Sequence, residues 1–168
     1  VDSLHFSRHF SKVISVERDK ILSSVAQINF GRLGTENVHV VNSGAEDFLE
    51  GFVAGSRKAD LVYLDPDRRS ADGKKQVRLQ ACSPDAIALL PLLRRAGHTI
   101  VIKASPLFDV AEPFRLFGPH CIVDVVSLAG ECKEVVIEIS ENIPSPVIRA
   151  TSIGTGQFSR PYGNDPNS

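Results

Sequence analysis

The sequence has no methionine and no tryptophan, only two tyrosines, and three cysteines in 168 residues. Cys82, Cys121 and Cys132 are too few and too scattered for a disulfide framework or a CxxC metal site. They are expected simply to pack, in a reducing, cytoplasmic compartment. No apolar run approaches the roughly 20 residues of a membrane-spanning helix. No charged leader with an apolar stretch behind it marks a secretion signal. Nineteen basic and twenty acidic side chains leave a formal net charge of −1, so there is no global basic field. Binding to nucleic acid would need a local patch. His5 and His9 stand four apart on an expected helix, but no third ligand accompanies them and no metal site is expected. A chain that starts at Val1 and lacks methionine is expected to be a piece of a longer one, with a segment before Val1.

What is present is ordinary globular composition, 42% apolar and 23% charged, enough for one domain with a real core. Leu4, Phe6 and Phe10 predict a helix over 2–10. Val13 to Glu17 reads as a buried strand. Ile21, Leu22, Val25 and Ile28 give a helical stripe that opens at Asp19 and closes near Gly31 to Gly34. A strand over 37–42, a helix over 45–53 and a strand from Ala59 ended by Pro66 follow. Residues 67–82 are polar and basic and predict a loop. Ser83-Pro84-Asp85 is a helix-start signal, for a helix that Pro91 should kink on its way to Gly97. A strand over 98–103 and a helix from Ser105-Pro106 to about Phe117 come next. The apolar runs Ile122–Ser127 and Glu134–Ser140 have so short a connector that they must pair antiparallel. After Asn142 prolines and glycines accumulate; Val147 to Thr151 could form one strand, and the rest reads as linker.

The order of elements predicts an α/β fold, a doubly wound, mostly parallel sheet with helices on both faces and a closing antiparallel hairpin. Residues 1–142 are expected to form the domain and 143–168 a linker or tail. In such sheets ligands lie beyond the carboxyl ends of the strands. Those ends carry Glu17-Arg18-Asp19, Asn42-Ser43-Gly44-Ala45-Glu46-Asp47, Asp65-Pro66-Asp67-Arg68-Arg69 and Lys103-Ala104-Ser105-Pro106. Glu17 is placed to accept two ribose hydroxyls. Asp65, fixed by Pro66, is a positioned acceptor. Arg68, Arg69, Lys74, Lys75 and Arg78 form the one dense positive stretch, suited to phosphate.

Val13–Glu17, Asn42–Phe48 and Asp60–Arg69 resemble successive motifs of class I S-adenosylmethionine-dependent methyltransferases, and the hairpin over Val125–Ile139 resembles the antiparallel pair of that fold. Asp65 to Arg69, Ile102 to Pro106 and Gly130 to Glu134 resemble bacterial methyltransferases with a C-terminal THUMP-like domain. The resemblance covers about residues 1–142. It implies S-adenosylmethionine as cofactor and RNA as partner, with methyl transfer to a base nitrogen. It implies that Glu17 holds the ribose, Arg18 flanks the adenine, Glu46 or the Ala45 backbone reads the adenine edge, and Asp2 lies near the methionine end. Asp65 would face both the methyl group and the target nitrogen as the catalytic residue. Pro66, Asp67, Arg68, Arg69 and Lys103 would stand on the substrate side.

The sequence departs from the pattern in three places. The glycine-rich loop and the first strand should precede Val1. Gly44 stands where an acid is common. Asp67 and Arg68 replace the second proline and the aromatic usual in amine methyltransferases. The alternative from another class is a non-catalytic RNA-binding module with the same fold. A nicotinamide-dependent oxidoreductase is disfavoured by the closing hairpin.

Overall fold

The structure, a computed structural model, describes residues 2–67 and 77–163. The expectations for Arg68, Arg69, Lys74 and Lys75 therefore lie outside the described residues. The chain divides into two compact units, residues 1–55 and 56–168.

In the first unit, helix α1 (Asp2–Phe6) leads into strand β1 (Val13–Glu17), helix α2 (Lys20–Arg32), strand β2 (Val38–Asn42) and helix α3 (Ala45–Ala54). α1 is shorter than expected, because residues after Phe6 leave the helix as turns. β1 and β2 pair in parallel from Val13 opposite Val38 to Glu17 opposite Asn42. α2 starts where Asp19 accepts hydrogen bonds from the backbone of Ile21 and Leu22 at 2.8 and 2.9 Å, an N-cap that satisfies two orphan donors. The stripe Ile21, Leu22, Val25 and Ile28 is helical as expected, but it is exposed; α2 packs on β1 and β2 and buries Ser23 instead.

The second unit holds one six-stranded mixed sheet in the order β3-β4-β6-β5-β7-β8. Its strands are β3 (Ala59–Leu64), β4 (Gly97–Ala104), β5 (Cys121–Leu128), β6 (Glu131–Ser140), β7 (Val147–Ser152) and β8 (Gly156–Pro161). The expectation of a mostly parallel sheet is corrected here. β3–β4 and β5–β7 are parallel, whereas β4–β6, β5–β6 and β7–β8 are antiparallel. Short hairpin connections, which cannot give parallel neighbours, join β5 to β6 and β7 to β8, and β6 inserts between β4 and β5 antiparallel to both. Ala129 and Gly130 both take positive φ, 52° and 79°, between the paired residues Leu128 and Glu131. That two-residue turn matches the twist of the flanking strands. No described strand pairs with the second edge of β1 or of β3.

Alternation along the central strands makes the core. Ile100, Ile102, Val135, Ile137, Ile139, Cys121 and Val123 are buried. Helices α4 (Leu90–Ala96) and α5 (Glu112–Phe117) pack on β4 and β5 and bury Leu93, Ala96, Pro113 and Phe117. α4 is shorter than its signal suggested. Residues from Ser83 form a turn, tied to the end of β3 by paired backbone bonds between Asp67 and Ser83 and capped by the Asp85 carboxylate. Pro91 sits in the first turn of α4, where its missing N–H costs no helical bond, so it kinks nothing. At the other end of α4, a Cβ on Gly97 would come within 2.7 Å of Val62, so this entry to β4 needs glycine.

β8 was not foreseen. Residues 156–161 pair with β7 from Gly156 to Pro161 rather than trailing off. The Thr151 hydroxyl donates to both oxygens of Asp124 at 2.8 and 3.0 Å, and Gln157 donates to Thr151. These bonds lock the register of three strands. Beyond β8, Tyr162 stacks on Phe114 of α5 at 3.9 Å.

Candidate functional site

In the first unit the carboxyl ends of β1 and β2 form a polar rim. Glu17 ends β1, half-buried, and its Oε1 accepts the Asp19 backbone N–H at 2.8 Å. One hydrogen bond thus fixes both the carboxylate and the approach to the α2 cap. Asn42, opposite Glu17, donates to the backbone carbonyls of Glu17 and Arg18 at 2.9 and 3.0 Å and so pins the loop between β1 and α2. Gly44 is the N-cap of α3 and has no side chain to cap it. Ala45, half-buried, and Glu46, exposed, open that helix, with Asp47 behind them. Glu17 and Arg18 thus lie at the end of β1, and Ala45 and Glu46 at the start of α3. Asp2 opens α1.

The second unit builds its own rim at the ends of β3 and β4. Asp65 and Pro66 directly follow β3; Pro66 is buried and Asp65 is exposed. Lys103, near the end of β4, sits 2.9 Å from Asp65 Oδ2 and 3.7 Å from Glu134 Oε2 of β6. The strand registers explain the trio. Tyr63 pairs with Val101 and Lys103 with Val136, so alternate residues place Asp65, Lys103 and Glu134 on one face. The Lys103 side chain is only 21% exposed, between the Asp65 and Glu134 side chains at 41% and 34%. Pairs this open stabilise the fold by about 1 kcal/mol at most; what they give is direction to the Asp65 carboxylate. Lys103, expected on the substrate side, pairs with Asp65. Glu134 had no expected role. Its signal is the register of a hairpin strand against β4, which no linear spacing displays. Asp67 makes the backbone bridge to Ser83.

The three thiols differ in burial. Cys121 is fully buried; burial first, then the nearby Glu138 carboxylate, push its pKa up to about 12. Cys82 is buried and donates to the Arg78 carbonyl. Cys132 is half-buried at the hairpin, 3.8 Å from the Pro106 and Glu134 carbonyls. Among the described residues no group of three or more His, Cys, Asp or Glu could hold a metal ion, and no helix is long and apolar enough to cross a membrane.

The chain is 28% identical over 127 residues to the tRNA/tmRNA (uracil-C(5))-methyltransferases of Yersinia pestis (strain Pestoides F) and Yersinia pseudotuberculosis serotype O:1b (strain IP 31758). Each match covers 64% of this chain and 34% of the relative, so the chain spans about a third of the length of these curated relatives. The fold matches a protein of Porphyromonas gingivalis W83 assigned as a methyltransferase. That match has a TM-score of 0.73 at 24% identity and covers 90% of this chain and 38% of that one. A second structure, from Escherichia coli, aligns at a TM-score of 0.46 and adds nothing to the fold assignment. No family model matches the chain. The chain thus has methyltransferase homologues at low identity and a methyltransferase neighbour in fold.

Proposed function

We propose that this chain carries the catalytic part of an S-adenosylmethionine-dependent methyltransferase acting on a base nitrogen of RNA. The observation that carries the reading is Asp65, an exposed carboxylate at the end of β3 that Lys103 directs. The residues of the first unit suit the cofactor's nucleoside. Glu17, held by a backbone N–H, offers a carboxylate to a ribose diol, and acids at the start of α3 offer acceptors to an adenine amino group. The cofactor supplies an electrophilic methyl group when bound.

Everything else falls to the chain's own residues. Asp65 accepts a hydrogen bond from the attacking amine and takes its proton as the nitrogen becomes bonded to carbon. Lys103 keeps Asp65 aimed; no covalent enzyme intermediate is needed, and the rate comes from alignment and from charge placed in advance. The relatives are named for a uracil carbon. A nitrogen target is the reading that the Asp65 carboxylate supports, as an acceptor for an amine proton. RNA as partner rests on those relatives' names and on the basic stretch in the sequence.

Calorimetric titration of S-adenosylmethionine into the intact protein tests the cofactor assignment. Glu17→Ala removes charge-assisted bonds worth about 1.5–3 kcal/mol and should weaken binding by roughly one to two orders of magnitude. Unchanged affinity would sink the assignment of the ribose to Glu17.

A further inference from the structure

The loop after β4 and the segment that returns from β3 face each other across a groove of about 600 Å³. Both walls are held by local hydrogen bonds and a buried anchor. Ser105, buried, caps the first turn: its hydroxyl accepts the Leu107 N–H at 3.2 Å and its carbonyl the Phe108 N–H at 2.9 Å. Phe108 is 4% exposed and anchors the loop, whereas Leu107 next to it is 79% exposed. Opposite, Leu79 anchors a 3-10 turn at 1% exposure, and the Arg78 carbonyl accepts bonds from Ala81 and Cys82. The neighbours of these anchors, Leu107 on one side and Arg78 and Gln80 on the other, line the groove. Arg115 joins them, its guanidinium held by Asp109 at 3.0 Å, while the other Asp109 oxygen accepts the Ala111 N–H.

The lining is mixed in a particular way. Two arginines are offset by Asp109 and Glu112, so the groove is no sink for bare anions. It offers an exposed aliphatic face, guanidinium planes, and both donors and acceptors around them. That combination suits a flat heterocycle with hydrogen-bonding edges better than a phosphate.

We infer that this groove is a nucleobase-binding subsite, with Leu107 as its stacking platform and Arg78, Gln80 and Arg115 around the base edge. The groove lies beyond the carboxyl ends of β3 and β4, on the rim that carries Asp65 and Lys103. The choice of an RNA base as occupant rests on the methyltransferase reading.

The test is an NMR titration of the intact protein with the four nucleoside 5′-monophosphates and, separately, with inorganic phosphate. The methyl signals of Leu107 and Val77 should shift with at least one nucleotide and stay in place with phosphate. Leu107→Asp and Arg78→Ala should each weaken that nucleotide about tenfold or more, while Leu107→Met retains binding. Both positions are exposed, so thermal melting of the variants should match the parent. Phosphate reproducing the same shifts, or variants that bind as the parent does, would overturn the inference. Titration of S-adenosylmethionine into the same samples separates the two readings. Cofactor binding without nucleotide in the groove sinks the subsite alone; nucleotide in the groove without cofactor binding upholds the subsite and sinks the methyltransferase reading.

Discussion

Residues 56–168 exclude Leu93, Ile102, Val123 and Ile137 from solvent altogether, whereas residues 1–55 bury only Ser23, Val38 and Leu49 among those described. The first unit leaves Ile21 at 75%, Leu22 at 57% and Leu33 at 60% exposure on α2. Two strands offer a helix little surface, and a two-stranded sheet is marginal by itself. Six strands covered by α4 and α5 enclose a true core. The proposed reacting acid, Asp65, belongs to the densely packed unit. A reacting carboxylate needs a stiff platform, because small displacements there cost rate.

The largest expected effect breaks this contrast from the side of the core. Leu93→Ala or Ile137→Ala should cost about 2–5 kcal/mol in chemical denaturation, whereas Leu22→Ala on α2 should stay within about 0.5 kcal/mol. Equal costs would mean that the exposed stripe of α2 is covered in solution.

Much of this contrast was visible in the order of residues. Alternation in 100–104 and 135–139 marks both central strands, and the short link at Ala129-Gly130 forces β5 and β6 to run antiparallel. The rim acids Glu17 and Asp65 are legible as strand ends. What was not legible depends on pairing across the sheet. Glu134 matters because of register, and β8 forms because β7 gives its polar residues a ladder and a Thr151–Asp124 lock. The stripe of α2 misleads for a related reason: period 3.6 shows that a helix forms, but which face is buried depends on the surface it meets. Pro91 misleads because the same residue breaks a helix interior and begins a helix well, and only the start point decides.

Smaller effects sharpen the comparison. Thr151→Val should cost about 1 kcal/mol and speed amide exchange in β7 and β8 while β4 and β6 stay protected; uniform loss of protection would show that the lock is not local. Asp19→Ala removes the α2 cap and should cost about 0.5–2 kcal/mol, read as faster exchange at Ile21 and Leu22 with the core of the second unit unchanged. Smallest in energy is a chemical contrast between two thiols. At pH 8 Cys132 should react with iodoacetamide in the folded protein and Cys121 should not, because Cys121 is buried and its ionisation is displaced upward to about 12. Alkylation of Cys121 at the same rate as Cys132 would show that the core opens readily.

The central claim is that Asp65, directed by Lys103, serves the reacting amine. Single-turnover methyl transfer from S-adenosylmethionine to a competent RNA, measured with the intact protein and its Asp65→Ala variant, addresses it directly. The account predicts a rate lower by about two orders of magnitude or more in the variant, with cofactor affinity within about twofold of the parent. An unaltered rate, or a loss fully explained by weaker cofactor binding, would contradict it and leave Asp65 as a structural partner of Lys103.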